Sequence, residues 1–175
     1  MGRPKAGIRG ADGRTLAQRT AALLEKAAAP ALEVGPGFSG LPHVQEDPPG
    51  LGPLAAIVCG QRALAAAGWD GPVLVVATDL PRLTQGLLPW LARYPSPDSV
   101  VPVSGGRPQP LCARYSAADL RAAHELWATG GRAMHALLAA VRPRLVSEDE
   151  WVRAAGDAAA LADADTPADL DLLRP

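Results

Sequence analysis

No apolar run in these 175 residues reaches the length needed to span a bilayer, and the N-terminus lacks the apolar core of a secretory signal. Membrane insertion is not expected, and a soluble cytoplasmic protein is. Thiols are scarce too. Cys59 and Cys112 are the two cysteines, each embedded in apolar sequence and without metal-ligand spacing. That excludes a disulfide scaffold or a zinc knot and predicts buried free thiols. Two of the 17 basic residues are lysines, Lys5 and Lys26, a bias that with the abundant alanine reflects codon usage rather than function. A formal net charge of −1 offers no bulk attraction for nucleic acid. An apolar fraction of 48% excludes a disordered chain, and the length suits one domain, residues 1–175, with a sizeable core.

What is present centres on Val73–Leu83, VLVVATDLPRL. Val73–Ala77 reads as a strand buried on both faces, as in a parallel sheet. Pro81 cannot extend a ladder, so the strand has ended by then and Asp79 stands at its carboxyl end. Ligands of open α/β sheets bind at such ends. A carboxylate there suits a hard cation such as Mg²⁺, or else caps the turn before Pro81.

Residues 1–11, MGRPKAGIRGA, form either a basic phosphate-holding loop or a frayed terminus. Thr15-Leu16-Ala17-Gln18 is a capping box opening a helix to about Ala29, with Leu16, Thr20, Leu23 and Leu24 on its buried face. Short strands are expected over Ala31–Val34 and Pro42–Gln45. The loop Glu46–Pro53, EDPPGLGP, is of the ligand-binding kind and leads into a buried helix, Leu54–Ala67. Thr84 is expected to cap a helix to Tyr94. Ser99–Val103 and Pro110–Tyr115 read as a hairpin around GGRPQ. Helices follow over Ala117–Ala128 and Arg132–Val141, then a short strand at Leu145-Val146 and a solvated acidic turn at Glu148–Glu150. Asp163 and Asp165 precede a final helix capped by Thr166. The three histidines, His43, His124 and His135, lack metal or triad spacing, and the four tryptophans are expected to pack or lie on the surface. Arg132, after two glycines, either contacts a pterin or phosphate or is a solvated helix-start arginine. Strands alternating with helices give an α/β fold with a largely parallel sheet and an antiparallel hairpin.

Taken in order, MGRPKA (1–6), DGRTLAQRTAALL (12–24), DPPGLGPLAAI (47–57), VLVVATDLPRLT (73–84), GGRPQPLCARY (105–115), GGRAMHALLA (130–139) and DADTPADL (163–170) carry a resemblance. The chain resembles the molybdenum cofactor guanylyltransferases, within the Rossmann-like nucleotidyltransferases, which are three-layer sandwiches. The resemblance implies Mg²⁺-dependent transfer of GMP from GTP to molybdopterin with release of pyrophosphate, and possible molybdoenzyme or cofactor-pathway partners. It implies that Lys5, with Gly2 and Arg3, lies near the phosphates. Asp47, Gly52, Pro53 and Leu54 would help hold the nucleotide. Asp79 would hold the metal, completed by Asp163 or Asp165. Arg107, Gln109 and Pro110, with the late aspartates, would face the acceptor. The family's first strand and glycine-rich loop have no counterpart here, which implies an N-terminally truncated domain with an open strand edge inside its sheet. Pro4 before Lys5 is more typical of the cytidylyl branch, so CTP is the alternative nucleotide. A truncated relative that binds a pathway partner without turnover is the other reading.

Overall fold

The computed structural model describes residues 5–10 and 12–162. Lys5–Gly7 forms a short 3-10 turn, and the first helix, α1 (Leu16–Leu24), follows. Its start is the expected capping box. The Thr15 hydroxyl accepts the Gln18 N–H at 3.0 Å, and the Gln18 amide oxygen accepts the Thr15 N–H at 2.9 Å. The helix stops at Leu24, short of the expected Ala29. Ala27 and Ala28 both turn back to the Leu24 carbonyl, and Pro30 disfavours helical geometry just before it.

Strands β1 (Glu33–Val34) and β2 (His43–Val44) pair in parallel and stand apart as a two-stranded sheet. Helix α2 (Pro53–Ala66) begins with Pro53 at its first turn, after Gly52 at φ 95°. Strand β3 (Val73–Val76) is followed by α3 (Leu87–Arg93), β4 (Val100–Ser104), β5 (Arg107–Pro108) and β6 (Cys112–Tyr115). The remaining described elements are α4 (Ala117–Ala128), α5 (Met134–Val141), β7 (Arg144–Val146), α6 (Glu148–Ala155) and a 3-10 turn over Ala158–Leu161.

The main sheet runs β3-β6-β4, with β7 on β4 and β5 folded onto the end of β4. Strands β3, β4 and β7 share one direction, while β5 and β6 run against it. The connections set these directions. The links from β4 to β5 and β6 are too short for a crossover and give antiparallel ladders, whereas α4 and α5 carry the chain across to a parallel β7. Within the expected hairpin the turn is only Gly105-Gly106, both at positive φ, and Arg107-Pro108 already pair back onto Ser104 and Val103.

Side chains alternate across this sheet into two cores. Leu74, Val76, Val100, Cys112 and Val146 face α3, α6 and the end of α1. Val73, Val75, Val101, Ala113 and Tyr115 face α2, α4 and α5. The fold is therefore a three-layer α/β sandwich, as expected. The fully buried Trp151 anchors α6, its indole N–H donating to the Val103 carbonyl at 2.8 Å.

Two local expectations fail. Thr84 does not cap α3; Gly86 does, without a side-chain bond, and the Thr84 hydroxyl is buried with no partner among the described residues. Gly86 packs so closely on the Ala154 carbonyl that a β-carbon would not fit, so helix–helix contact sets this boundary rather than capping chemistry. Glu148–Glu150 is not a solvated turn but the first turn of α6. Glu148 accepts the Gly105 N–H at 2.8 Å, and Glu150 accepts the Tyr94 hydroxyl at 2.7 Å. Acidic residues are favourable at that helix end. Both cysteines are free; Cys112 is buried, which pushes its thiol up to about 12, and Cys59 is half-buried. Among the described residues no helix is long and apolar enough to cross a membrane.

Candidate nucleotide site at the end of strand β3

Strand β3 delivers Thr78 and Asp79 to the edge of a cavity of about 500 Å³. Leu80, 6% exposed, plugs the core directly after them and fixes where the turn leaves the strand. Asp79 itself is half-buried. The ion pairs among the described residues are Arg19–Asp12 and Arg82–Asp157, so the Asp79 carboxylate enters neither. No described backbone N–H bonds to it, so the turn-capping alternative has no hydrogen bond to support it. Arg82 ties the same turn to the Ala158–Leu161 segment through Asp157 at 2.8 Å, at the exposed surface.

Two further expected segments reach this cavity. Pro53, at the start of α2, lines it. Gly52 gives the loop its positive-φ turn, and the first N–H groups of α2 have no helical acceptor, an arrangement suited to anions. Leu54 is fully buried in the core, so it offers a ligand only its backbone. Ala6 also lines the cavity, which brings the turn that begins with Lys5 to the same place.

The acceptor-side residues lie alongside. Ala77 donates its N–H to the Leu111 carbonyl at 2.6 Å, so the strip before β6 runs next to the end of β3. Gln109 is held by its N–H on the Pro102 carbonyl at 2.8 Å, and Pro110 by the Tyr115 hydroxyl on its carbonyl at 2.9 Å. Arg107, exposed on β5, lines neither this cavity nor the second one, and neither do Gln109 and Pro110; Leu111 is the residue of this strip that lines it.

Asp47 is not gathered in. It lines a separate cavity of about 260 Å³ with Glu46, Cys59, Arg62 and Trp127. The Arg132 guanidinium lies 3.7 Å over the Trp127 ring and donates to the Trp127 and Gly131 carbonyls, so it is occupied by its own helix end. Gly2, Arg3, Asp163 and Asp165 lie outside the described residues, and among the described residues no cluster of three metal-ligating side chains forms.

Sequence reasoning missed Glu33. Its carboxylate, on β1, accepts N–H groups from Gly37 at 2.8 Å, Phe38 at 3.1 Å and Ser39 at 2.7 Å, and so shapes the loop beside the cavity. Burial works to raise its pKa, but the bonds from Ser39, Phe38 and Gly37 outweigh it and hold the group below its ordinary value. The signal was an acidic residue just before a Gly-Pro-Gly turn, which composition alone does not single out.

The family described as the MobA-like NTP transferase domain matches residues 1–145. A protein named "probable molybdenum cofactor guanylyltransferase" from Chloroflexus aggregans is 29% identical over 174 residues, covering 94% of this chain and 82% of the relative. Molybdopterin-guanine dinucleotide biosynthesis protein A from Archaeoglobus fulgidus superposes with a TM-score of 0.73 at 19% identity, over 98% of this chain and 89% of that one. The 2-C-methyl-D-erythritol 4-phosphate cytidylyltransferase from Thermus thermophilus shares the fold at a TM-score of 0.64 and 23% identity, over 97% and 91%.

Proposed function

The chain belongs to the MobA-like NTP transferase domain family, and from that premise we propose that it transfers GMP from GTP to molybdopterin and releases pyrophosphate. The observation that carries the reading is Asp79, a carboxylate without a described partner at the carboxyl end of β3, sharing a cavity with Pro53 and with the turn that Lys5 begins. The name of the Chloroflexus relative, a probable molybdenum cofactor guanylyltransferase, supports the choice of nucleotide and acceptor.

A carboxylate at this strand end suits Mg²⁺, which takes one or two carboxylates and fills its shell with phosphate oxygens and water. Asp79, with Asp163 or Asp165, would hold it, and when bound it would neutralise charge on the nucleotide phosphates. The chain's own groups do the rest. Lys5 adds positive charge at the phosphates, and the α2 N-terminus supplies N–H donors after Gly52. Gln109 and Pro110, held by Pro102 and Tyr115, would orient the acceptor beside the cavity, next to Leu111, which lines it. Holding donor and acceptor in line is most of what such a site must do, because positioning and charge stabilisation dominate phosphoryl-type transfer.

CTP is the second reading, favoured by Pro4 directly before Lys5. The test is pyrophosphate release from GTP or CTP with molybdopterin, with and without MgCl₂. Release from GTP that requires Mg²⁺ and falls about a hundredfold in Asp79→Asn supports the proposal. Release from CTP alone reassigns the nucleotide, and equal turnover by Asp79→Asn removes the role given to Asp79.

A further inference from the structure

The turn that carries Asp79 is fastened at two points to one short segment. Between the end of β3 at Val76 and the start of α3 at Leu87 the chain forms no helix or strand, so its path there depends on such anchors. The inner anchor is Leu80, buried in the same cluster as Ala160 and Leu161. The outer anchor is Arg82, whose guanidinium donates to the Asp157 carboxylate at 2.8 Å. Both land on Asp157–Leu161. By sequence, the chain beyond that stretch leads directly to Asp163 and Asp165.

Asp157 serves both sides of this join. Gly156, at φ 77°, ends α6 and turns the chain out of the helix. One Asp157 carboxylate oxygen then accepts the Ala159 N–H at 2.9 Å and starts the 3-10 turn, while the other accepts Arg82. The Ala159 N–H and the Arg82 guanidinium hold this carboxyl below its ordinary value, so it is ionised at neutral pH. Behind it α6 is firmly seated, by the buried Trp151 and by the Ala154 carbonyl packed on Gly86. The ion pair adds little to the stability of the fold, because its side chains are 43% and 38% exposed and the buried cluster already closes the join. What it fixes is the outer side of the turn whose Asp79 lines the cavity.

We propose that Arg82 and Asp157 are positioning residues for divalent-cation binding at Asp79, a surface clamp that fixes the turn bearing this carboxylate against the segment after α6. The inference rests on the metal-holding role proposed for Asp79 and deepens it. A clamp and a direct ligand contact make opposite demands on Asp157. If Arg82 itself gripped a nucleotide phosphate, Asp157 would compete for the same guanidinium, and removing its charge would tighten nucleotide binding. In a clamp, loss of either partner has the same effect, and loss of both adds nothing more.

The test titrates MgCl₂ at fixed GTP and reads the rise in Tm. It compares the unmodified chain with Arg82→Gln, Asp157→Asn, the double variant and Glu148→Gln. Asparagine keeps an oxygen for the Ala159 N–H, so Asp157→Asn removes the clamp and spares the 3-10 turn. Glu148→Gln weakens the hold of α6 on Gly105 at its other end and serves as the control. The expected result is a MgCl₂ midpoint raised about three- to fivefold in each clamp variant, near the ceiling for an exposed ion pair. The double variant should show the same factor, the control no change, and all of them an unaltered Tm without ligand. Additive losses in the double variant, unchanged or tighter binding in Asp157→Asn, an equal loss in Glu148→Gln, or a loss that tracks a lower ligand-free Tm would each overturn the clamp. A Mg²⁺ dependence that Asp79→Asn abolishes and the clamp variants leave intact rejects the clamp and keeps the role of Asp79. No Mg²⁺-dependent rise in the unmodified chain, or one that Asp79→Asn retains, rejects both.

Discussion

Asp79 stands between a strand and a core plug: β3 ends at Val76, and Leu80 is buried immediately after it. That placement comes from backbone and packing, not from any bond the carboxylate makes among the described residues. Asp79→Asn should therefore change unfolding free energy by less than about 0.5 kcal/mol while the transfer rate collapses, as paired denaturation and turnover assays would read. Glu33 is the opposite case, a carboxylate whose bonds are structural. Its pKa is depressed in the folded protein, so its stabilisation is complete above the unfolded carboxylate value and is lost as pH falls through the folded one. Glu33→Gln should cost about 1–2 kcal/mol at pH ~7, toward the low side for charged hydrogen bonds because water reaches part of the group. The difference from the unmodified chain should shrink in urea titrations as pH falls through the lowered folded pKa, since the wild-type carboxylate then takes up its proton too. A constant difference across that range would show that the charge is not what matters.

Elements whose ends are set by local chemistry were legible in the sequence. The Thr15 capping box comes out where side-chain chemistry places it. The β3 run and the α4 limits likewise follow from pattern. Elements whose ends are set by distant packing were not legible. Thr84 has the right chemistry for a cap, yet α3 starts at Gly86 because α6 crosses there, and no local signal records that crossing. Gly86→Ala should accordingly destabilise by about 1–3 kcal/mol, from overpacking against the Ala154 carbonyl, visible as a lower Tm. An unchanged Tm would mean the two helices are free to separate. The strip before β6 is likewise organised from afar, by the buried Tyr115 hydroxyl on Pro110. Tyr115→Phe should cost about 1 kcal/mol in stability. It should also raise KM for the acceptor more than it lowers kcat, because it loosens that strip rather than the reacting centre.

Across the whole molecule, the three layers and the strand-end site follow from alternating helices and strands, whereas the separation of Asp47 from Asp79 does not. Both lie in loops that sequence reasoning assigned to one ligand, and only the packing around α2 shows that they line different cavities. The Lys5 turn, the start of α2, the end of β3 and the strip before β6 converge on one mouth. If that mouth holds a nucleotide, ligand binding must stabilise the fold, by about 2.7 kcal/mol at a hundred times Kd. The most direct measurement is a thermal-shift titration with GTP, CTP and ATP, with and without MgCl₂, on the unmodified chain and on Asp79→Asn. The account requires a Mg²⁺-dependent rise in Tm with GTP that Asp79→Asn loses. A GTP shift of equal size in Asp79→Asn, or one indifferent to Mg²⁺, would contradict it.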